Sequence, residues 1–152
     1  MTNSNNLIDS LEVYVLNNPH ETKPHWVSHF IVPTANELLI KIKNKVGNSG
    51  FGMATSYTDI SPIIKPFSNG LENFIIGEDP FCPEKIYEKI FKLTDTRISS
   101  EKGWSKESLI RISAALDIAC WDLIGKSSKT PLYKLFGGYR NKVPVYVTCG
   151  YY

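Results

Sequence analysis

Asp117 and Asp122 are the two carboxylates whose setting most invites acid–base chemistry, since both lie in one apolar stretch, AALDIACWDLIGK. Such chemistry needs two groups converging on one substrate. Five residues apart on a helix, the two side chains point about 140° apart, so they do not share a site. Each is expected to accept hydrogen bonds from neighbouring backbone or from the following loop. His20, His25 and His29 all fall between Asn17 and Asn36. The pair His25 and His29 could ligate a metal from one helical face. Pro19, Pro24 and Pro33 oppose a helix there, and no cysteine accompanies the histidines. The segment reads instead as a long functional loop, with a loop packed on its own domain as the alternative. Gly50 and Gly52 lack the lysine and the following helix of a phosphate cradle, and Gly125-Lys126-Ser127 ends a helix instead of opening one. Cys120 sits among apolar residues and reads as a small core residue. No catalytic and no metal-binding residue is assigned within the chain.

The composition narrows the classes of function. At 152 residues the chain can bury roughly 70% of its extended surface in one domain. An apolar content of 42% with 21% charged residues argues against disorder. The net charge of +2 is small and the lysines are scattered, so no basic stripe points to nucleic acid. The start, MTNSNNLIDSLE, has neither a basic segment nor an apolar run, and no signal peptide or membrane span is expected. Three widely spaced cysteines, Cys82, Cys120 and Cys149, suggest reduced thiols and a cytoplasmic location.

Residues 1–6 are polar and expected to be disordered. From Leu7 to Leu16 the pattern alternates, with Leu11, Val13 and Val15 on one face, which predicts a strand. From Glu37 to Val46, Leu38, Ile40 and Ile42 oppose Lys41, Lys43 and Lys45, as in a half-solvated antiparallel strand. A Gly-Asn-Ser-Gly turn returns the chain into a third strand, Phe51 to Ala54. The second half is helical. Ser61-Pro62 starts a segment broken at Pro66 and Gly70. Pro83 opens a helix to about Leu93, with Ile86, Ile90 and Leu93 along one side. Ser105 caps a longer one. There Leu109, Ile112, Leu116, Ala119 and Leu123 form one apolar face, and Ile110, Ala114, Ile118 and Trp121 a second. Two apolar faces predict burial on both sides. Thr130-Pro131 begins a last short helix that Gly137-Gly138 ends, and Val143 to Thr148 reads as a new strand. Strands followed by helices make an α+β class, a three-stranded antiparallel meander followed by a helical bundle.

The segment from Ala114 to Gly138, AALDIACWDLIGKSSKTPLYKLFGG, resembles the mandelate racemase and muconate lactonizing enzyme group of the enolase superfamily. The family pattern is A-x-D-x-A-x-W-D-L-x-G-K followed by P-L-x-x-L-x-G-G. The resemblance implies that residues 7–138 form the enolase-like N-terminal capping domain. Residues 139–152 would then be the linker and first strand of a (β/α) barrel that this chain otherwise lacks. It also implies a magnesium-dependent lyase or isomerase that abstracts the proton alpha to a carboxylate, as an acid-sugar dehydratase, racemase or epimerase. The Mg2+ ligands would lie in the barrel, outside this chain. Implied partners are a small carboxylate substrate such as a sugar acid, the chain's own barrel domain and, in the full-length enzyme, further copies in a homo-oligomer, with no nucleic acid and no membrane. In the family the loop between the first two strands closes over the barrel mouth, which assigns Pro24, His25, Trp26 and His29 to substrate capping. A second specificity loop follows the third strand after a G-x-G pattern, which adds Met53, Thr55 and Tyr57. Here GFGMAT departs from the family, because Met53 stands where many relatives carry an acidic residue. The fragment alone is expected to be inactive, and the alternative is a stand-alone binding or assembly module derived from this domain.

Overall fold

Period-two alternation builds the sheet. The computed structural model describes residues 4–19, 25–27, 29–32 and 34–147. Ser4 to Asn6 form a turn ahead of β1, Ile8–Pro19, while residues 1–3 lie outside the described residues. β1 pairs antiparallel with β4, Thr34–Asn44, and β4 with β5, Ser49–Ser56, in the order β1-β4-β5. Leu38, Ile40 and Ile42 are fully buried on one face, as their alternation with lysine predicts. Between β1 and β4 lies a hairpin of β2, His25–Val27, and β3, Phe30–Val32. The expected loop from Asn17 to Asn36 is therefore largely strand. Asn17 pairs with Asn36 and Pro19 with Thr34, which lengthens the main ladder, and the β-branched and aromatic residues around His29 form the hairpin.

The helices cover one face of the sheet. α1, Ser61–Ser68, is a single two-turn helix that keeps Pro66 inside it and buries Ile63 and Pro66. It ends before a 3₁₀ turn at Leu71–Phe74. The expected break at Pro66 does not occur; α1 ends at Ser68, and Gly70, with φ +89°, precedes the 3₁₀ turn. α2, Pro83–Lys92, buries Ile86 and Ile90. α3, Arg97–Lys102, is capped by the Thr96 hydroxyl, which accepts from the Ser99 amide. α4, Lys106–Ser127, is capped in the same way by Ser105 accepting from Ser108. α5, Leu132–Leu135, ends where Gly137 takes φ +102°, a conformation other residues adopt only under strain.

α4 is the centre of the core. Leu109, Ile112, Ala115, Leu116, Ala119 and Leu123 are fully buried against the sheet and against α2. Fully burying each leucine or isoleucine contributes about 1.5–3 kcal/mol. α4 runs antiparallel along β5 at unusually close range. A Cβ at Gly50 would lie 1.9 Å from the Ala119 carbonyl oxygen, and one at Gly52 1.8 Å from that of Ala115. Four helical residues rise about 6 Å and two strand residues about 6.7 Å, so the G-x-G step matches the Ala115–Ala119 step.

The second face of α4 is not covered. Ile110 and Ile118 remain 38% and 53% exposed, and Ala114 is exposed as well. Trp121 is half-buried, with its ring edge-on to Phe136 at 4.7 Å between centroids. The expected burial of α4 on both sides is thus corrected: among the described residues the sheet and α2 supply one wall, and the other is touched only at Trp121, by Phe136 after α5. The expected strand from Val143 is also absent among the described residues. Residues 143–147 pair with no strand and are exposed, while Thr148 to Tyr152 lie outside the described residues. A strand needs a partner ladder, and none of the described strands provides one.

Candidate functional site: the loop end of the sheet

The register places two loops at one end of the sheet. Asn17, Asn36 and Ser56 stand across from one another on β1, β4 and β5. The chain leaves this end after Pro19, returns at Thr34, and leaves again after Ser56. The first excursion carries the hairpin and the second the segment Tyr57 to Ile60.

Polar groups hold that second segment. Asn36 is 5% exposed, and its Nδ2 donates to the Thr58 carbonyl at 2.6 Å. The Thr34 hydroxyl donates to Asn36 Oδ1 at 3.2 Å, fixing the amide's orientation. The Ser56 hydroxyl donates to the Asp59 carbonyl at 3.2 Å. The Ser61 amide and hydroxyl donate to Asp59 Oδ1 at 3.0 and 2.7 Å, and these bonds hold the Asp59 carboxyl below its usual range. From α4, Arg111 donates to the Thr55 carbonyl while it pairs with Glu107 at 2.8 Å. A small cavity of about 90 Å³ behind the loop is lined by Ser56, Thr58, Asp59, Glu107 and Arg111, among others.

The residues assigned to capping are distributed as follows. Pro24 lies outside the described residues. His25 and Trp26 lie in β2, paired with Val32 and Ile31, and His29 is at the exposed turn of the hairpin. Tyr57 follows β5 and is 52% exposed. Met53 and Thr55 do not follow the third strand as expected. They are inside β5, because pairing with β4 continues to Ser56. Met53 projects from the outer sheet face in register with Leu39, and only Thr55 and Tyr57 reach the loop end. Sequence reasoning missed Asn36 and Arg111. The available signals were a polar side chain opening an apolar alternation and an arginine beside the buried face of α4.

The aspartates of α4 behave as expected of structural carboxylates in one case. Asp122 accepts from the Phe51 amide at 2.9 Å and from Lys126 at 2.5 Å. Together, Asp122 and Arg111 satisfy open backbone groups on the edge of β5. Asp117 has its carboxyl pushed up by burial and by the Glu84 charge. Burial pushes the Cys120 thiol up to about 12, which leaves it unreactive. Among the described residues, no three His, Cys, Asp or Glu side chains are grouped so as to hold a metal ion. No helix among them is long and apolar enough to cross a membrane.

Comparison with known proteins agrees with this architecture. The family model for the mandelate racemase / muconate lactonizing enzyme N-terminal domain matches residues 10–137. Arabinonate dehydratase of Saccharolobus solfataricus is 31% identical over 74% of this chain and 28% of its own length. The L-Ala-D/L-Glu epimerase of Clostridium acetobutylicum is 33% identical over 83% of this chain and 33% of its own. The crystal structure of a racemase from Streptomyces coelicolor A3(2) with bound magnesium superposes with a TM-score of 0.70 at 26% identity, covering 88% of this chain and 36% of the racemase. The chain therefore spans about a third of the length of these relatives. A three-stranded sheet with a helical layer, the G-x-G step against α4 and a match across nearly the whole described length lead to one conclusion: the chain belongs to the mandelate racemase / muconate lactonizing enzyme N-terminal domain family of the enolase superfamily.

Proposed function

We propose that this chain is the substrate-capping domain of a magnesium-dependent enzyme that abstracts the proton alpha to a carboxylate, as an acid-sugar dehydratase, racemase or epimerase. The observation that carries this reading is the departure of two segments from one end of the sheet, the second of them held by Asn36 and Arg111. Two loops on a rigid base can close over a substrate bound in a neighbouring domain. Pro24, His25, Trp26 and His29 on one loop, and Thr55 and Tyr57 on the other, are the residues offered to the substrate. Met53, on the outer sheet face, drops out of that set.

The uncovered face of α4 supports a barrel partner. Phe51, Ile118, Trp121, Leu132 and Phe136, with Asp117 and Asp122 beside them, line a largely apolar groove of about 410 Å³. The chain passes from α5, which forms one wall of this groove, into the exposed residues after Gly138. In this reading the catalytic barrel covers the groove, and it carries the Mg2+ ligands and the base. Among the described residues no group of three ligating side chains forms such a site, and no step of the reaction is assigned to them. A sugar acid fits the dehydratase relatives and a peptide carboxylate the epimerase relatives. A cytoplasmic setting is part of the same reading.

The test is deuterium exchange alpha to the carboxylate, measured by NMR across acid sugars and dipeptides with magnesium. It compares the protein encoded by the complete reading frame with the 152-residue chain alone. Exchange by the complete protein and none by the chain is expected, with His25→Ala and Trp26→Ala shifting substrate preference at unchanged Tm. Exchange by the chain alone, or a complete frame without a barrel, overturns the reading.

A further inference from the structure

Asn36 stands on the central strand, opposite Asn17 on β1 and Ser56 on β5. It lies where the strand returning from the first excursion meets the point from which the second departs. Asn36 is buried, so both ends of its amide need partners. Nδ2 donates to the Thr58 carbonyl of the second segment at 2.6 Å. Oδ1 accepts from the hydroxyl of Thr34, the first residue of β4, at 3.2 Å. The same hydroxyl lies 3.4 Å from Asn17 Oδ1. A hydroxyl has one hydrogen, so the two amide oxygens compete for it.

We propose that Asn36 is a positioning residue, a two-setting latch that ties the second segment to the strand returning from the first, and that the Thr34 hydroxyl sets it. With the hydrogen on Asn36 Oδ1, the amide is held with its NH2 towards Thr58. With the hydrogen on Asn17 Oδ1, Asn36 Oδ1 loses its donor. Turning the amide over then lets Nδ2 donate to the Thr34 oxygen, while Oδ1 faces the Thr58 carbonyl, which has no hydrogen to give. The second setting releases the segment that carries Tyr57. The proposal rests on the capping reading in naming what the latch serves: Tyr57 is offered to the substrate only while the latch is closed.

The test is backbone amide exchange over residues 57–60 in the 152-residue chain, with Tm recorded to confirm folding. Thr34→Val keeps the shape of the side chain and removes the hydroxyl. It is expected to raise exchange there about tenfold, the loss of one hydrogen bond, at nearly unchanged Tm. Thr34→Ser keeps the hydroxyl and is expected to match the unaltered chain. Asn36→Leu is expected to match Thr34→Val, and the double substitution to add nothing to either, since both break one latch. The two Thr34 variants decide the matter even where Asn36→Leu is too unstable to study. Unaltered exchange in Thr34→Val, exchange in Thr34→Ser as fast as in Thr34→Val, or additive effects in the double variant overturns the latch. In the protein encoded by the complete reading frame, Thr34→Val is expected to raise KM about tenfold with kcat nearly kept, and Thr34→Ser to restore it. Unchanged KM in a complete protein that turns over substrate overturns the latch's role in capping. A complete protein that turns over none of the acid sugars or dipeptides counts instead against the capping reading, and amide exchange still decides the latch.

Discussion

A single methyl group at residue 52 would meet the Ala115 carbonyl oxygen at 1.8 Å, with the Ala119 amide nitrogen at 3.0 Å. Both atoms are backbone of the most buried helix, so neither can swing aside. Gly52→Ala is expected to destabilise the domain by about 3 kcal/mol, seen as a lower urea midpoint at unchanged slope. An unaltered midpoint would mean that α4 stands further from β5 than described. Glu78 is a second informative residue. It pairs with Lys89 at 2.6 Å and Lys85 at 2.9 Å, and its side chain is 15% exposed. The Lys89 bond, ahead of the smaller contribution of Lys85, holds the Glu78 carboxyl below its usual value of 4.5. A carboxyl with a lowered value in the folded state contributes stability above its unfolded value and loses it as pH falls through the folded one. Glu78→Gln should therefore cost about 1 kcal/mol at pH 7, and the cost should vanish below the folded value. Urea titrations at neutral and strongly acidic pH decide this; an equal loss at both would show that the charge is irrelevant.

At the scale of elements, α4 is the device that fixes the second loop. Arg111 reaches from it to the Thr55 carbonyl, one residue before β5 ends. Arg111→Met removes that donor while keeping much of the side-chain volume. Amide exchange over residues 57–60 is expected to rise about tenfold, the effect of losing one charge-assisted hydrogen bond locally, with only a small fall in Tm. Unchanged exchange there would leave Asn36 and Asp59 as sufficient anchors. The elements differed in how plainly the sequence announces them. β4 and the buried face of α4 have regular periods because each packs one face on the core, and both were legible. α2 was legible from Pro83 and its apolar spacing. The β2–β3 hairpin was not, because its strands are three residues each and flanked by prolines that signal loop. α3 was missed because its short sequence, RISSEK, has little apolar period and depends on the Thr96 cap. The second face of α4 misled for a different reason. Periodicity reports that a face is apolar, and it cannot say which domain covers it. In the candidate site, the resemblance pointed to two excursions from the sheet, whereas the bonds that Asn36 and Arg111 make to the second one depend on tertiary packing that the sequence pattern only hints at.

For the whole molecule, one core joins the sheet to α1, α2 and α4, and this core is complete within the described residues. The uncovered α4 groove and the outer sheet face lie on its outside. The fold is therefore expected to form its interior without a metal or a barrel, even though the proposed activity needs both. A metal ion bound only by the folded state would raise stability in proportion to the logarithm of its concentration. Since no group of three ligating side chains exists among the described residues, magnesium at a few millimolar and an excess of chelator should give the same Tm for this chain. The same pair of conditions applied to the protein encoded by the complete frame should separate, because the proposed ligands reside in the barrel. The expected result is one cooperative unfolding transition for the chain, insensitive to magnesium, and a magnesium-sensitive one for the complete protein. A rise in the chain's own Tm with magnesium, reversed by chelator and absent with monovalent salt at matched ionic strength, would locate a metal site in this domain. It would also overturn the proposed division of labour, in which the cap selects the substrate and a barrel performs the chemistry.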